Sequence, residues 1–235
     1  MIIFGKNVVK EAVFAKRPVY KVYIDEKMND TAFIGFLKDK NISYVLTNKG
    51  ELNTLTNNQN HQGVVADVKA YEYQTLEEVF NPQVMQRFLI LDEIHDPHNL
   101  GAILRTAEAT SFDGIILSKK HQVPLNATVA KVSSGAIEHT NIILVNNIHQ
   151  TLIKLKEQGV LVIGTDGATQ MEYTEIPQDR TLAIIMGNEG SGIRPLIKKN
   201  CDLLVKIPMQ GKVNSLNVSV AAALMMYATY IKKQK

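Results

Sequence analysis

Three stretches of the chain gather side chains able to do chemistry. Residues 92–99, DEIHDPHN, bring together Asp92, Glu93, His95, Asp96, His98 and Asn99. Residues 187–192, GNEGSG, form a glycine-rich turn around Glu189, and residues 206–217, KIPMQGKVNSLN, put Ser215, Leu216 and Asn217 at the start of a long apolar segment. Carboxylates with imidazoles could hold a metal, a glycine turn could cradle a phosphate, and free backbone N–H groups at a helix start favour anionic or carbonyl-bearing ligands, with Ser215 a natural N-cap. The first two depart from their usual patterns. His95 and His98 sit in a Pro-containing loop, whereas zincin histidines stand at i and i+4 on a helix, so no metal is expected. The glycines run G-x-x-G-x-G rather than G-x-G-x-x-G and lack the Lys and Ser/Thr of a P-loop, which disfavours a dinucleotide-dependent oxidoreductase and an NTPase.

Each of these stretches follows an apolar run that reads as a strand: Phe88 to Glu93, Thr181 to Met186, and Leu203 to Pro208. Further strands are expected at 114–118, 141–145 and 160–165, with helices over 100–110, 126–137, 148–158, a short one after Ile193, and a last one from about Ser215 to Lys232. Near-continuous apolar strands alternating with helices imply a parallel α/β sheet covered on both faces, with its ligand site at the carboxyl ends of the strands. Asn99 is expected to cap the helix it precedes. In that helix Leu100, Ile103, Leu104 and Ala107 face the core, leaving Arg105 outside the stripe within reach of Glu108. The last helix is expected to bury Leu216, Val220, Ala223, Leu224 and Tyr227, with Lys232 and Lys233 complementing its C-terminal dipole.

Residues 1–70 have a different texture. Helices over 7–15, 32–40 and 49–56 alternate with strands over 21–25, 42–47 and 63–68, which reads as a small α/β sandwich. Residues 71–86 read as a linker containing one helical turn, and residues 87–235 as the larger domain. The N-terminal 70 residues hold ten Lys/Arg against seven Asp/Glu, the whole of the formal charge of +3. Lys6, Lys10, Lys16, Arg17 and Lys21 cluster there, as expected of a part that touches a polyanion, with a solvated face the equal alternative because so small an excess does not suit a protein that coats DNA. With one cysteine, Cys201, there is no internal disulfide, and the thiol is expected to be buried and structural. No signal peptide is visible, and the longest apolar run is too short to span a bilayer, so the expected compartment is the cytoplasm.

Taken together, NLGAILRTAEA, IIMGNEGSGI and IPMQGKVNSLNVSVAAAL, in this order and near these spacings, resemble the three motifs of the TrmH-type ribose 2'-O-methyltransferases of the SPOUT superfamily. The likeness covers residues 87–235, and LNATVAKVSSGA (125–136) is similar to the branch that modifies a guanosine of bacterial 23S rRNA. FGKNVVKEAV and HQGVVADV resemble that branch's RNA-binding domain, itself similar to certain ribosomal proteins. Asn188 and Met209 to Lys212 stand at positions that vary in the family.

The resemblance implies a trefoil-knotted domain, where periodicity and the rule against threaded chains lead only to an unknotted doubly wound sheet. It implies a homodimer and S-adenosylmethionine held by backbone groups of Gly187, Ile207 and Leu216, with Met186, Pro208 and Met209 around them. It also implies a polar active site of Asn99, Arg105, Glu189, Ser215 and Asn217. The family role proposed for Arg105 is that of base, often helped by a substrate phosphate. A guanidinium stays protonated below a pH of about 12, so a bidentate phosphate clamp that stabilises a developing alkoxide suits it better. A tRNA guanosine methyltransferase is the neighbouring alternative, although that branch generally carries RNA-binding extensions at both ends. A non-catalytic RNA-binding or assembly protein on the same fold is another.

Overall fold

The computed structural model describes residues 1–188, 190–213 and 215–230. Glu189, Lys232 and Lys233, named above, lie outside the described residues. In chain order the elements are β1 (Ile2–Phe4), α1 (Lys6–Phe14), β2 (Val19–Asp25), α2 (Thr31–Asp39), β3 (Tyr44–Thr47), α3 (Lys49–Leu55), β4 (Val64–Val68), α4 (Leu76–Val79), β5 (Arg87–Leu91) and α5 (Pro97–Ala109). There follow β6 (Gly114–Ser118), α6 (Ala127–Val132), a 3-10 turn at Ala136–His139, β7 (Ile142–Val145), α7 (Ile148–Glu157), β8 (Leu161–Thr165), a second 3-10 turn at Tyr173–Glu175, β9 (Leu182–Met186), α8 (Pro195–Lys198), β10 (Leu203–Val205) and α9 (Val218–Ala228). Contacts group residues 1–72 with 125–139, and residues 73–124 with those from 140 onward.

The first unit is built on a four-stranded sheet ordered β1-β4-β2-β3, in which β2 and β3 run parallel and β4 runs antiparallel to β1 and β2. Strand β1 was not expected: three residues are too few to show an alternation. Val8, Val9 and Ala12 of α1 are buried at helical spacing, and α1 stops where Lys16 turns to a φ of 58°. Residues 125–139, within which one helix of the larger domain was expected over 126–137, form α6 and a 3-10 turn with Gly135 between them at a φ of 90°, and they pack in this unit.

One buried ion pair fastens that segment. Arg17 Nη1 lies 2.8 Å from Glu138 Oε1, its Nε donates to the Lys69 carbonyl at 2.6 Å, and its guanidinium stacks 3.6 Å from the centre of the Tyr71 ring. Tyr71 donates its hydroxyl to the same Glu138 oxygen at 2.8 Å, and burial pushes that phenol well above its usual pKa. The side chains of Arg17 and Glu138 are only 8% and 4% exposed. Arg17, grouped above with the cations expected to touch a polyanion, thus spends its charge inside the unit. Lys6 is paired at 2.6 Å with Asp30, which caps α2.

The second unit is a six-stranded, wholly parallel sheet ordered β10-β8-β9-β5-β6-β7. Successive strand residues point to opposite faces. Phe88, Ile90, Ile116, Ala183 and Ile185 join Ile148, Leu152 and Leu155 of α7 and Ile197 of α8 on one face. The opposite face receives α5 and α9, which pack against each other. Residues from Tyr73 onward already belong to this unit: Gln74 bonds to the Ile142 carbonyl, and Leu76, Val79 and Phe80 lean on its core. Among the described residues no helix is long and apolar enough to cross a membrane.

Two helix starts and one helix face differ from expectation. The cap of α5 is Asp96, not Asn99, because Pro97 supplies a preset first helical residue and the Asp96 carboxylate accepts from His98 N at 2.9 Å. The cap of α9 is Asn217, not Ser215, with its Oδ1 accepting from Ser219 N at 2.9 Å. Helix α9 buries Val218, Ala222, Met225 and Met226, while Val220 and Tyr227 are 48% and 57% exposed. A helix that is apolar nearly all round has no single stripe to read, so its burying face follows from its neighbours.

Removing one partner of the Arg17–Glu138 pair leaves a buried charge alone, at a cost of about 3 kcal/mol. Arg17→Ala should therefore lower the chemical denaturation midpoint strongly, whereas Lys16→Ala at an exposed neighbouring position should leave it within about 0.5 kcal/mol of wild type.

Candidate active site

The expected region at the carboxyl ends of the strands holds a cleft of about 720 Å³. It opens beyond Thr165 of β8, Met186 of β9 and Val205 of β10, against the start of α9. Met186, Gly187, Ile207, Pro208, Met209 and Leu216 all line it, and Ser215 does too. Met186 is buried, Met209 is 41% exposed, and Ser215 faces solvent.

Gly187 makes the cleft possible. A Cβ there would stand 2.2 Å from the carbonyl carbon of Gly192 and 2.3 Å from Ile193 N, so only glycine lets the two ends of the turn meet. Asn188 and Gly192 exchange backbone bonds of 3.1 and 2.9 Å, with Gly192 at a φ of 69°. The Asn188 side chain ties this turn to the loop after β5. Its Nδ2 donates to the Glu93 carbonyl at 3.0 Å and its Oδ1 accepts from Gly190 N at 2.9 Å.

A second tie lies beneath it. Asp92, its side chain fully buried, faces Arg194: Nε donates to Oδ2 at 3.1 Å, and Nη2 lies 2.6 Å from Oδ1 as a Coulombic contact rather than an aligned hydrogen bond. Arg194 also reaches Glu93 at 3.3 Å, and its bond to Asp92 raises the pKa of the guanidinium further. Asp92 N donates to the Met186 carbonyl at 2.8 Å. The loops after β5 and β9 are therefore held together by charge and by backbone. Of the acids considered above as metal ligands, Asp92 and Glu93 thus face Arg194, while Asp96 caps α5 and lies 3.1 Å from His98.

The polar residues divide into two groups. Asn99 is buried in the first turn of α5, and Asn217 Nδ2 donates to its Oδ1 at 3.0 Å. Arg105 is exposed, about 9 Å further along the helix axis by the α-helical rise, and it makes no ion pair with Glu108 or any other of the described residues. Glu189 lies outside the described residues. Cys201 is half-buried, with its sulfur 2.7 Å from where a Cβ on Gly164 would stand, and burial pushes its thiol up to about 11. A thiol so rarely ionised is structural.

Sequence reasoning missed the floor contributed by Asp166, Gly167 and Glu172, although β8 too ends in a polar loop. Asp166 is held by Lys198 at 2.5 Å, which keeps its carboxyl below the usual range. It also missed the Asp92–Arg194 pair, because nothing in two residues about a hundred positions apart announces their contact.

Residues 86–227 match the SpoU rRNA Methylase family, and residues 2–74 match the family described as RNA 2'-O ribose methyltransferase substrate binding. A Bacillus subtilis protein, YacO, whose name places it in the TrmH family of tRNA/rRNA methyltransferases, is 42% identical over 98% of this chain and 95% of its own. A Staphylococcus haemolyticus protein of the same family name is 40% identical over 100% and 97%. Among solved structures, the SpoU methyltransferase AviRb of Streptomyces viridochromogenes, in complex with the cofactor AdoMet, superimposes with a TM-score of 0.84 at 20% identity, covering 98% of this chain and 89% of that one. An AdoMet-bound rRNA methyltransferase of Sinorhizobium meliloti gives 0.81 at 24% identity over 97% and 85%. At such identities the likeness concerns the fold.

Arg194→Ala leaves Asp92 buried without its countercharge. The expected loss is about 2 kcal/mol, below the figure for a fully enclosed pair because Arg194 is 44% exposed. Asp92→Asn in the same chain should recover part of it, and equal denaturation midpoints for the single and double variants would show that the pair is not a tie.

Proposed function

This chain belongs to the SpoU rRNA methylase family, and from that premise we propose that it is an S-adenosylmethionine-dependent RNA methyltransferase acting on a ribose 2'-hydroxyl, of a guanosine in 23S rRNA. The observation that carries this reading is the Asn99–Asn217 bond, which joins the first and third motifs beside a cleft walled by the second and third. A tRNA guanosine is the second reading, since the names of the relatives include both RNAs.

The cleft suits an adenosyl group. Its wall combines apolar side chains of Met186, Pro208 and Met209 with backbone at Gly187, Ile207 and Leu216, and an adenine ring is bound by apolar walls with a few directed bonds. When bound, S-adenosylmethionine supplies a sulfonium-activated methyl group. The protein's part is to position the ribose in line with it, which supplies much of the rate.

In this reading Asn99 and Asn217 orient the 2'-hydroxyl, and Arg105 clamps a substrate phosphate with two parallel N–H bonds while stabilising the developing alkoxide. An exposed guanidinium that makes no ion pair among the described residues suits that role. The hydroxyl proton leaves to a phosphate oxygen of the substrate. Glu189 and Ser215 belong to the same site by family match. Lys6, Lys10 and Lys16 contribute to holding RNA, and the segment from Gly187 through α9 carries the trefoil thread. A cytoplasmic location fits an RNA substrate.

We further propose that the chain works as a homodimer through the exposed apolar face of α9, where Val220 and the Tyr227–Tyr230 ring pair meet solvent. Tyr227→Glu should convert the dimer to monomer in sedimentation.

The decisive test is methyl transfer from labelled S-adenosylmethionine to rRNA and, separately, tRNA, both lacking their own ribose methylations. Label is expected on 23S rRNA. Arg105→Ala should lower kcat by about 100- to 1,000-fold, the loss typical of one transition-state donor, and near-full activity of Arg105→Lys would sink the bidentate clamp. Label on tRNA alone would overturn the substrate, and no label on either RNA would overturn the enzyme.

A further inference from the structure

The first unit carries a cavity that the methyltransferase reading does not use. It measures about 450 Å³ and lies where α1 and α2 both end, with Val13, Phe14, Pro18 and Ile42 as its apolar wall and Lys16 and Lys40 beside them. Phe14 is 53% exposed and stands edge-on to Phe36, ring centres 5.3 Å apart, while Lys10 sits 5.7 Å over the Phe36 ring. Among the described residues no carboxylate lines the cavity. Lys16 and Lys40 are exposed and make no ion pair among the described residues, whereas the guanidinium of Arg17 is engaged with Glu138.

A single exposed phenylalanine needs no explanation, but an exposed ring at the edge of a cavity flanked by unpaired cations is the arrangement that holds single-stranded nucleic acid. Two helix C-termini meet here, and their partial negative charge opposes an anion inside the cavity. A planar, uncharged base is the better occupant of the interior, with phosphates on the lysines outside. A second copy of this chain is the poorer candidate, because a two-fold contact through this patch would set lysines against the same lysines. We propose that Phe14 is a stacking platform for an unpaired base of the RNA substrate, with Lys16 and Lys40 on the flanking phosphates. This inference rests on the RNA methyltransferase reading and adds to it a preference for a single-stranded or looped segment, since a paired base offers no free face.

The chain contains no tryptophan, so Phe14→Trp introduces a lone indole reporter at the site. Titrating the full-length variant with an unstructured RNA 12-mer should quench that emission at saturation, and a blunt RNA duplex of equal length should not. Phe14→Ala should weaken 12-mer binding by about tenfold or more, the scale of one lost stack, with S-adenosylmethionine binding by calorimetry unchanged. Lys16→Ala with Lys40→Ala should flatten the salt dependence of 12-mer binding. Unchanged 12-mer affinity in Phe14→Ala together with an unquenched Phe14→Trp would overturn the proposal, as would emission that changes with protein concentration alone, which marks self-association. Failure here, with methyl transfer to RNA intact in the wild-type chain, leaves the enzyme reading standing. Absence of transfer to any RNA by the wild type sinks that reading separately.

Discussion

The candidate site depends on one asparagine amide that serves two elements at once. Asn217 accepts the first free N–H groups of α9 with its Oδ1 and gives its Nδ2 to the Oδ1 of Asn99 in the first turn of α5. An amide suits this because it carries an acceptor and two donors on one rigid plane, whereas a carboxylate could make only the cap and a hydroxyl could not span both. The start of the last helix is thereby indexed to the start of the helix that carries Arg105. Because α5 and α9 also pack along their lengths, a shift in either cap would be transmitted to the other.

Around that bond the strand-end loops are fastened by different means for different reasons. Gly187 allows the turn after β9 to close on itself through the absence of a side chain. Asn188 then bonds the turn to the loop after β5, and Asp92 with Arg194 does the same by charge under the surface. A buried carboxylate is a poor source of net stability, since desolvation offsets most of the Coulombic gain. It does penalise every arrangement in which its partner is elsewhere, which holds a cleft edge in one position. The cleft is thus bounded by groups whose alternatives are costly, while Arg105, with no ion pair among the described residues, keeps its donors available.

The strands, their parallel order of appearance and the carboxyl-end location of the cleft were legible from runs such as FLIL and LAIIM, because a strand buried on both faces must be apolar at every position. The six residues expected at the cleft wall were named by the resemblance of the second and third motifs to a family, and periodicity alone reached only as far as the strand ends near which most of them lie. Elsewhere local signals were outweighed. Asn99 looks like a cap, yet Pro97 moves the helix start three residues earlier and leaves Asn99 inside, where its side chain meets α9. In α9 itself, the run VSVAAALMMYA offers apolar residues on every side, so the choice of Val218, Ala222, Met225 and Met226 for burial belongs to α5 and the sheet.

By itself the chain's order of residues determined most of the element types, the all-parallel larger sheet, the basic bias of the N-terminal part and where most strands of that sheet end, since these follow from short-range periodicity and backbone preference, whereas the three-residue β1 and the break between α6 and its 3-10 turn did not. Only the tertiary structure decided that Arg17 is a cross-link to Glu138 121 positions away, that residues 125–139 pack with the first unit, that Asp92 answers to Arg194, and that Asn217 reaches Asn99. Each is a pairing between distant segments, and its energy depends on burial and direction that no local pattern of residues contains.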